Sequence, residues 1–99
     1  MAKATDEKQV KNAAEEERRR AERDADDMRY ILSTKSGRRF IWNLLGECGV
    51  FQCSFDGSSK TFFKEGERNV GLKILVRLND ADPQAYVTMI NESRGGDYV

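Results

Sequence analysis

The chain of 99 residues has no histidine, one proline, one tryptophan and two cysteines, and its 17 basic and 17 acidic side chains cancel to zero net charge. Each shortage closes off a class of chemistry. Without histidine, Cys48 and Cys53 are the only soft metal ligands, and one chain cannot supply the four ligands of a structural zinc site. A nucleophilic cysteine would also lack its usual base. No apolar run approaches the roughly 20 residues a membrane span needs, and the N-terminus is too charged for an export signal. The cysteines therefore read as reduced thiols in a cytosol-like compartment. Balanced charge gives no global pull toward DNA or an anionic membrane. Gly66 and Gly71 are not followed by the Gly-Lys-Ser/Thr of a phosphate loop, and Glu65 and Glu67 do not share a helix face as an acid/base dyad. The expectation is a chain that is not an enzyme, with no metal, cofactor, membrane contact or small-molecule substrate.

Residues 1–27 are present in a very different style from the rest. They carry 7 basic and 9 acidic side chains, a net of −2, against 10 and 8, a net of +2, in residues 28–99. Ala, Glu, Arg and Lys dominate and Gly and Pro are absent, which favours helix. Glu7–Lys11, Glu15–Arg19 and Glu16–Arg20 are acid-first pairs at i,i+4, each adding a few tenths of a kcal/mol. A thin apolar stripe of Val10, Ala14, Ala21, Ala25, Met28 and Leu32 is interrupted by Glu17. Two readings stand: an arm that packs on a partner helix or a symmetry mate through Val10, Ala14, Ala21 and Met28, or a solvated helix that frays alone. Asp24, Asp26 and Asp27 leave it open whether one helix runs through them or a new one starts near Asp27.

The remaining chain, 28–99, reads as a small core domain. MRYILST ends at the turn-like TKSG. A helix over 37–49 puts Phe40, Ile41, Leu44, Leu45 and Cys48 on one face, with Gly49 as a left-handed C-terminal cap. Gly46 reads as a close approach of another backbone. Trp42 falls off the main face and is expected to pack on the N-terminal helix or to cover a second contact surface. In the loop 50–60, Val50, Phe51 and Phe55 are expected to plug the core, DGSS to turn, and Ser58 or Ser59 to cap the next helix. That helix, 61–79, carries Phe63, Val70, Ile74 and Leu78 in one stripe, widened by Phe62, Leu72, Leu75 and Val76. Gly66 and Gly71 would thin it where helix 37–49 crosses. Asp82-Pro83 predicts an N-cap and first turn for a helix over 83–93. The fold class is all-α: three to four short helices bundled around a Phe-rich loop, with a charged N-terminal helical arm.

Seven basic residues, Arg38, Arg39, Lys60, Lys64, Arg68, Lys73 and Arg77, lie on or beside these helices. They either form a patch for DNA phosphates, with Arg38, Arg39, Lys64 and Arg68 as the anion-binding candidates, or pair with Glu65, Glu67 and Asp80 in the ordinary way.

The strings Arg38-Arg39-Phe40, Cys48-Gly49-Val50-Phe51, Thr61-Phe62-Phe63 and Arg68-Asn69-Val70-Gly71 occur in order. In this the chain resembles a small domain family of tailed bacteriophages named after a Bordetella phage protein, over roughly residues 30–92. The resemblance implies a virion or assembly component near the portal or inside the head. Such a component would be present in the virion, and in host cytoplasm during assembly, in several copies packed on other virion chains. A small DNA-binding accessory protein is the alternative, and a regulator that holds a host protein through the arm is a third reading. Physically, Arg39 and Arg68 suit carbonyl caps or pairing with Glu47, Glu65 or Glu67, and Asn69 suits a bond to the aromatic loop's backbone.

Overall fold

Helix-favouring composition carries the first element, α1, through Ala2–Leu32 without interruption. The computed structural model describes residues 2–53, 57–58 and 60–99, with side chains from Thr5 onward. At about 1.5 Å per residue, α1 is roughly 46 Å long. It runs straight through Asp24, Asp26 and Asp27 and crosses from arm to core without a break. Every residue from 5 to 24 is exposed, Ala25 and Met28 are half-buried, and Leu32 is buried. Its ion pairs include Arg19–Glu15 at 3.5 Å, Arg18–Glu22 at 4.0 Å and Arg20–Glu17 at 3.3 Å. Arg20 thus takes Glu17 in place of the expected Glu16.

The chain reverses at Ser33-Thr34. Thr34, in an extended conformation, caps α2 (Lys35–Glu47) by accepting from the Gly37 N–H at 3.0 Å. The TKSG segment is therefore a cap followed by a helix start, two residues earlier than expected. Gly37 is required, because a Cβ there would run into the Ile31 carbonyl. Gly49 takes the positive φ (76°) anticipated beyond the C-terminus of α2. α3 spans Lys60–Ala81 and α4 Ala85–Arg94. Asp82 does not cap α4 as expected: its N–H still donates to Leu78 at the end of α3, and its Oδ1 accepts from the Gln84 N–H at 3.0 Å. That turn consumes Pro83 and delays the helix to Ala85.

The core lies where the four helices converge. Leu32, Ile41, Leu45, Leu78, Ala81, Ala85 and Met89 are buried, and Met28, Trp42, Val50, Ile74, Leu75, Tyr86 and Tyr98 pack around them. Leu44, Cys48 and Ile74 are half-buried. The expected core needs correction at five positions: Phe40 is 65% exposed, Phe51 46%, Phe62 86%, Phe63 72% and Val70 53%. The reason is geometric. Successive helix residues are turned by about 100°; Phe63 and Val70 share the side of Ala81, but the buried residues of α3, Gly71, Leu78 and Ala81, all lie in its C-terminal half, so Phe62, Phe63 and Val70 precede the covered length. On α2 the covered side belongs to Ile41 and Leu45, which turns Phe40 outward. Phe55 and Ser59 lie outside the described residues, so the roles expected of them do too.

Trp42 packs against the buried cluster that includes Leu32 of α1. Its ring sits 5.0 Å from Phe51, 6.1 Å from Tyr98 and 6.2 Å from Tyr86, joining the loop to α4 and the tail, with none of these partners on α1. The glycines separate in the same way. Open space surrounds Gly46 and Gly66, whereas a Cβ on Gly71 would overlap Val50 and stand 2.6 Å from the Cys48 Cβ. The end of α2 therefore meets α3 at Gly71 alone of the three. The radius of gyration is 18.4 Å, with extents of 62 × 38 × 16 Å, against about 13 Å for a compact chain of this length.

Two alanine substitutions should move stability in opposite directions. Gly71→Ala forces backbone movement and should cost about 1–3 kcal/mol. Gly66→Ala, in open helix, should stabilise by about 0.5–1 kcal/mol. Urea denaturation of both variants checks the pair.

Candidate functional site

The described residues offer a polar joint and three exposed apolar surfaces. The joint is built on Arg38, in the first turn of α2. Its Nε donates to Glu92 Oε1 at 2.5 Å, one Nη to Glu92 Oε2 at 3.3 Å, and the other Nη to the Leu32 carbonyl at 2.9 Å. One guanidinium thus closes the C-terminus of α1 and ties α2 to α4, which charge-assisted, forked hydrogen bonding favours. The Tyr98 hydroxyl donates to the same Glu92 Oε1 at 3.2 Å, and Lys35 pairs with Asp97 at 3.4 Å. The hydrogen bond from Arg38 holds the Glu92 carboxyl below its usual range. Burial, and then the Glu92 charge, push the Tyr98 phenol up to about 12.

A second arginine repeats the device. Arg29 Nε donates to the carbonyl of Ala81, the last residue of α3, at 2.8 Å, while its Nη1 donates to Asp26 at 2.6 Å. Cations near helix C-termini satisfy orphan carbonyls and oppose the helix dipole. Arg29 was not among the residues singled out by sequence; its place in the last turn of α1 was the only signal available.

The anion-binding candidates do not converge. Arg38 is engaged by Glu92 and Leu32, which removes it from such a site. Arg39 is exposed and Arg68 half-buried, and neither takes part in the ion pairs among the described residues. Lys64 lies beside Glu47 and Glu67 at a small depression that also takes Cys48 and Cys53; both thiols are free. Asn69 is exposed on α3. Among the described residues no three His, Cys, Asp or Glu side chains are grouped to hold a metal ion, and no helix is long and apolar enough to cross a membrane.

The apolar surfaces are larger features. On α3, Phe62, Phe63, Gly66 and Val70 fall within roughly 100° of the helix circumference, all exposed. At the α1–α2 corner, Tyr30, Ile31, Phe40 and Ile41 line an open groove. Between α1 and α3, a groove of about 470 Å³ has Ala21, Ala25, Met28 and Ile31 among its lining, with Asp24, Asp27 and Asp80 at its edges and Arg20 and Arg77 among them. Of the arm candidates, Ala21 and Met28 line this groove, while Val10 and Ala14 continue their helix into solvent. Contiguous exposed apolar surface marks interaction sites, where single exposed residues do not.

These features define a small all-α domain whose chemistry is that of surfaces. The sequence model of Bbp19-like phage proteins matches residues 28–91, and the chain belongs to that family. It is therefore a phage-associated protein, at home in a phage particle or a phage-infected cell. Comparison with curated proteins and with solved structures finds no match. The matched segment opens at Met28, where α1 reaches the core, and closes within α4.

The joint sets a pH signature. Because the Glu92 carboxyl is depressed, its stabilisation is present above the ordinary carboxylate range and is lost as pH falls through the folded value. Because the phenol of Tyr98 is raised from 10.0 to about 12, stability should decline as pH rises across that interval. Thermal unfolding across pH should show Arg38→Ala far less stable than Arg39→Ala at neutral pH, and Tyr98→Phe should lose the alkaline decline.

Proposed function

We propose that this is a non-enzymatic phage structural or assembly protein that works by packing against other virion chains, at the portal or head-tail region or inside the head. The observation that carries this reading is the exposed face of Phe62, Phe63 and Val70 on α3. Among the described residues seven apolar side chains are buried, while Phe40, Phe62 and Phe63 stand outside, where they reward contact with another chain. Membership of a phage family supplies the setting. The nucleic-acid alternative draws less support, since Arg38 is held in the joint and Lys64 sits among acidic neighbours.

Mass spectrometry of purified particles tests the reading. The wild-type chain should be found in intact virions. The double variant Phe62→Asp/Phe63→Asp should fold with stability within about 1 kcal/mol of wild type, because both side chains are exposed, yet be lost from particles. Wild-type protein absent from particles, or the double variant incorporated normally, would sink it.

A further inference from the structure

The arm has a property that composition hides. Taken in reverse from a point between Glu17 and Arg18, it is its own charge complement. Glu15, Glu16 and Glu17 mirror Arg20, Arg19 and Arg18; Lys11 mirrors Asp24; Lys8 mirrors Asp27; Asp6 mirrors Arg29. The apolar positions mirror as well, Ala14 with Ala21 and Val10 with Ala25. Across 6–29 no like charges meet at any mirrored pair. Two copies of α1 laid antiparallel about a two-fold axis at that point would bring one helix face of each together, with Val10, Ala14, Glu17, Arg18, Ala21 and Ala25 beside their mirrors and Lys11 and Asp24 at its flank; the other mirrored charges lie further round the rod. A parallel pair would instead set Glu15–Glu17 against themselves and Arg18–Arg20 against themselves, which costs energy at each contact.

The structure supplies a seat for this pairing. α1 is one unbroken helix, so the two strings of charge lie along a rigid rod already formed. The groove between α1 and α3 spans Glu17 to Ile31 of the rod, and the mirrored register lays the partner's residues 4–18 along that half. Val10 and Ala14 of the second copy would then meet Ala25 and Ala21. Lys11 would meet Asp24, with Asp27 and Asp80 adding to the acidic edge. Small side chains at these positions permit close helix approach. The same stripe already docks Met28 and Leu32 on the chain's own core, so the new contact continues an interface that exists.

We infer that α1 is a self-recognition element: two copies of this chain pair antiparallel through their arms, each N-terminal half lying in the partner's α1–α3 groove. This deepens the packing role proposed above by naming the arm's partner as a second copy. The contact is isologous and closed, so it ends at two chains. Its exposed ion pairs individually contribute little; their weight is in selecting orientation and register.

Sedimentation equilibrium of the full-length chain tests it. The wild type should be a dimer that weakens as salt screens the arm charges; a monomer up to about 100 µM, a concentration that would miss only the weakest association, overturns the inference. Glu15→Arg/Glu16→Arg/Glu17→Arg makes the arm centre wholly basic, and Arg18→Glu/Arg19→Glu/Arg20→Glu makes it wholly acidic. Each alone should self-associate at least about tenfold more weakly, and mixing them should restore a dimer. Combining all six substitutions preserves the mirror and should preserve the dimer. Single-sign variants that dimerise as well as wild type overturn the inference. Should either variant lose helix by circular dichroism, zero-length cross-linking of wild-type copies, one isotopically labelled, still decides: Lys11–Asp24 links between copies support the pairing, and their absence refutes it. A monomer that still enters particles refutes the pairing and spares the packing role; a dimer excluded from particles does the reverse.

Discussion

Everything compact in this protein hangs on the closure of helix ends. α1 stops at Leu32 with its last carbonyls unsatisfied by its own backbone, and those ends lie next to the core. Arg38 reaches back across the Thr34 cap to the Leu32 carbonyl while its other nitrogens grip Glu92 on α4. Arg29 does the same for α3 at Ala81. Arg38 and Glu92 work at low exposure, where breaking one partner leaves the other uncompensated; Arg29 does its work half in solvent. The apolar contacts of Leu32, Leu45, Leu78 and Met89 supply most of the drive to collapse. The arginines decide which helix ends meet, and so which faces of α1, α2 and α3 remain outside.

That division explains what was legible in the residues and what was not. The all-α class, the break near Ser33, the glycine turn at Gly49 and the crossing at Gly71 follow from local signals: periodicity, cap residues, a residue that only glycine can replace. The faces did not follow. Phe40, Phe62, Phe63 and Val70 fit the helical spacing of a core as well as Ile41, Leu45 and Leu78 do, because periodicity reports that a face is apolar and carries no information on what covers it. Only the tertiary arrangement shows that α3 buries residues from Gly71 onward and none before it. Arg38 and Arg29 were hidden for a related reason. Their partners lie 54 and 52 residues away in the chain, beyond any local pattern, so Arg38 read as a surface cation and Arg29 as nothing in particular. The ring contacts of Trp42 with Tyr86 and Tyr98, at the far end of the chain, are equally beyond a local pattern.

The α3 face and the arm are chemically unlike, and the difference separates their work. The α3 face of Phe62, Phe63 and Val70 is aromatic and aliphatic, the composition of an interface core that stays desolvated once formed. The arm is small-residue and highly charged, with little apolar area to drive tight docking but a charge order that discriminates orientation. A surface of the first kind favours permanent attachment to another chain; one of the second kind favours a reversible, directed pairing of identical rods.

The geometry lets both operate together. With the arms paired about the point between Glu17 and Arg18, each core begins about ten residues away along the rod, close to 15 Å at 1.5 Å per residue, and on opposite sides of the axis. The pairing covers the α1–α3 groove but leaves the N-terminal half of α3 outside, so a pair would present two Phe62–Phe63 faces, related by the two-fold axis. Two faces on one rigid body bind a symmetric or repeating surface with an effective concentration that one face cannot reach. A chain of 99 residues with a small core would in this way gain hold on an assembly from its symmetry as well as from its buried area.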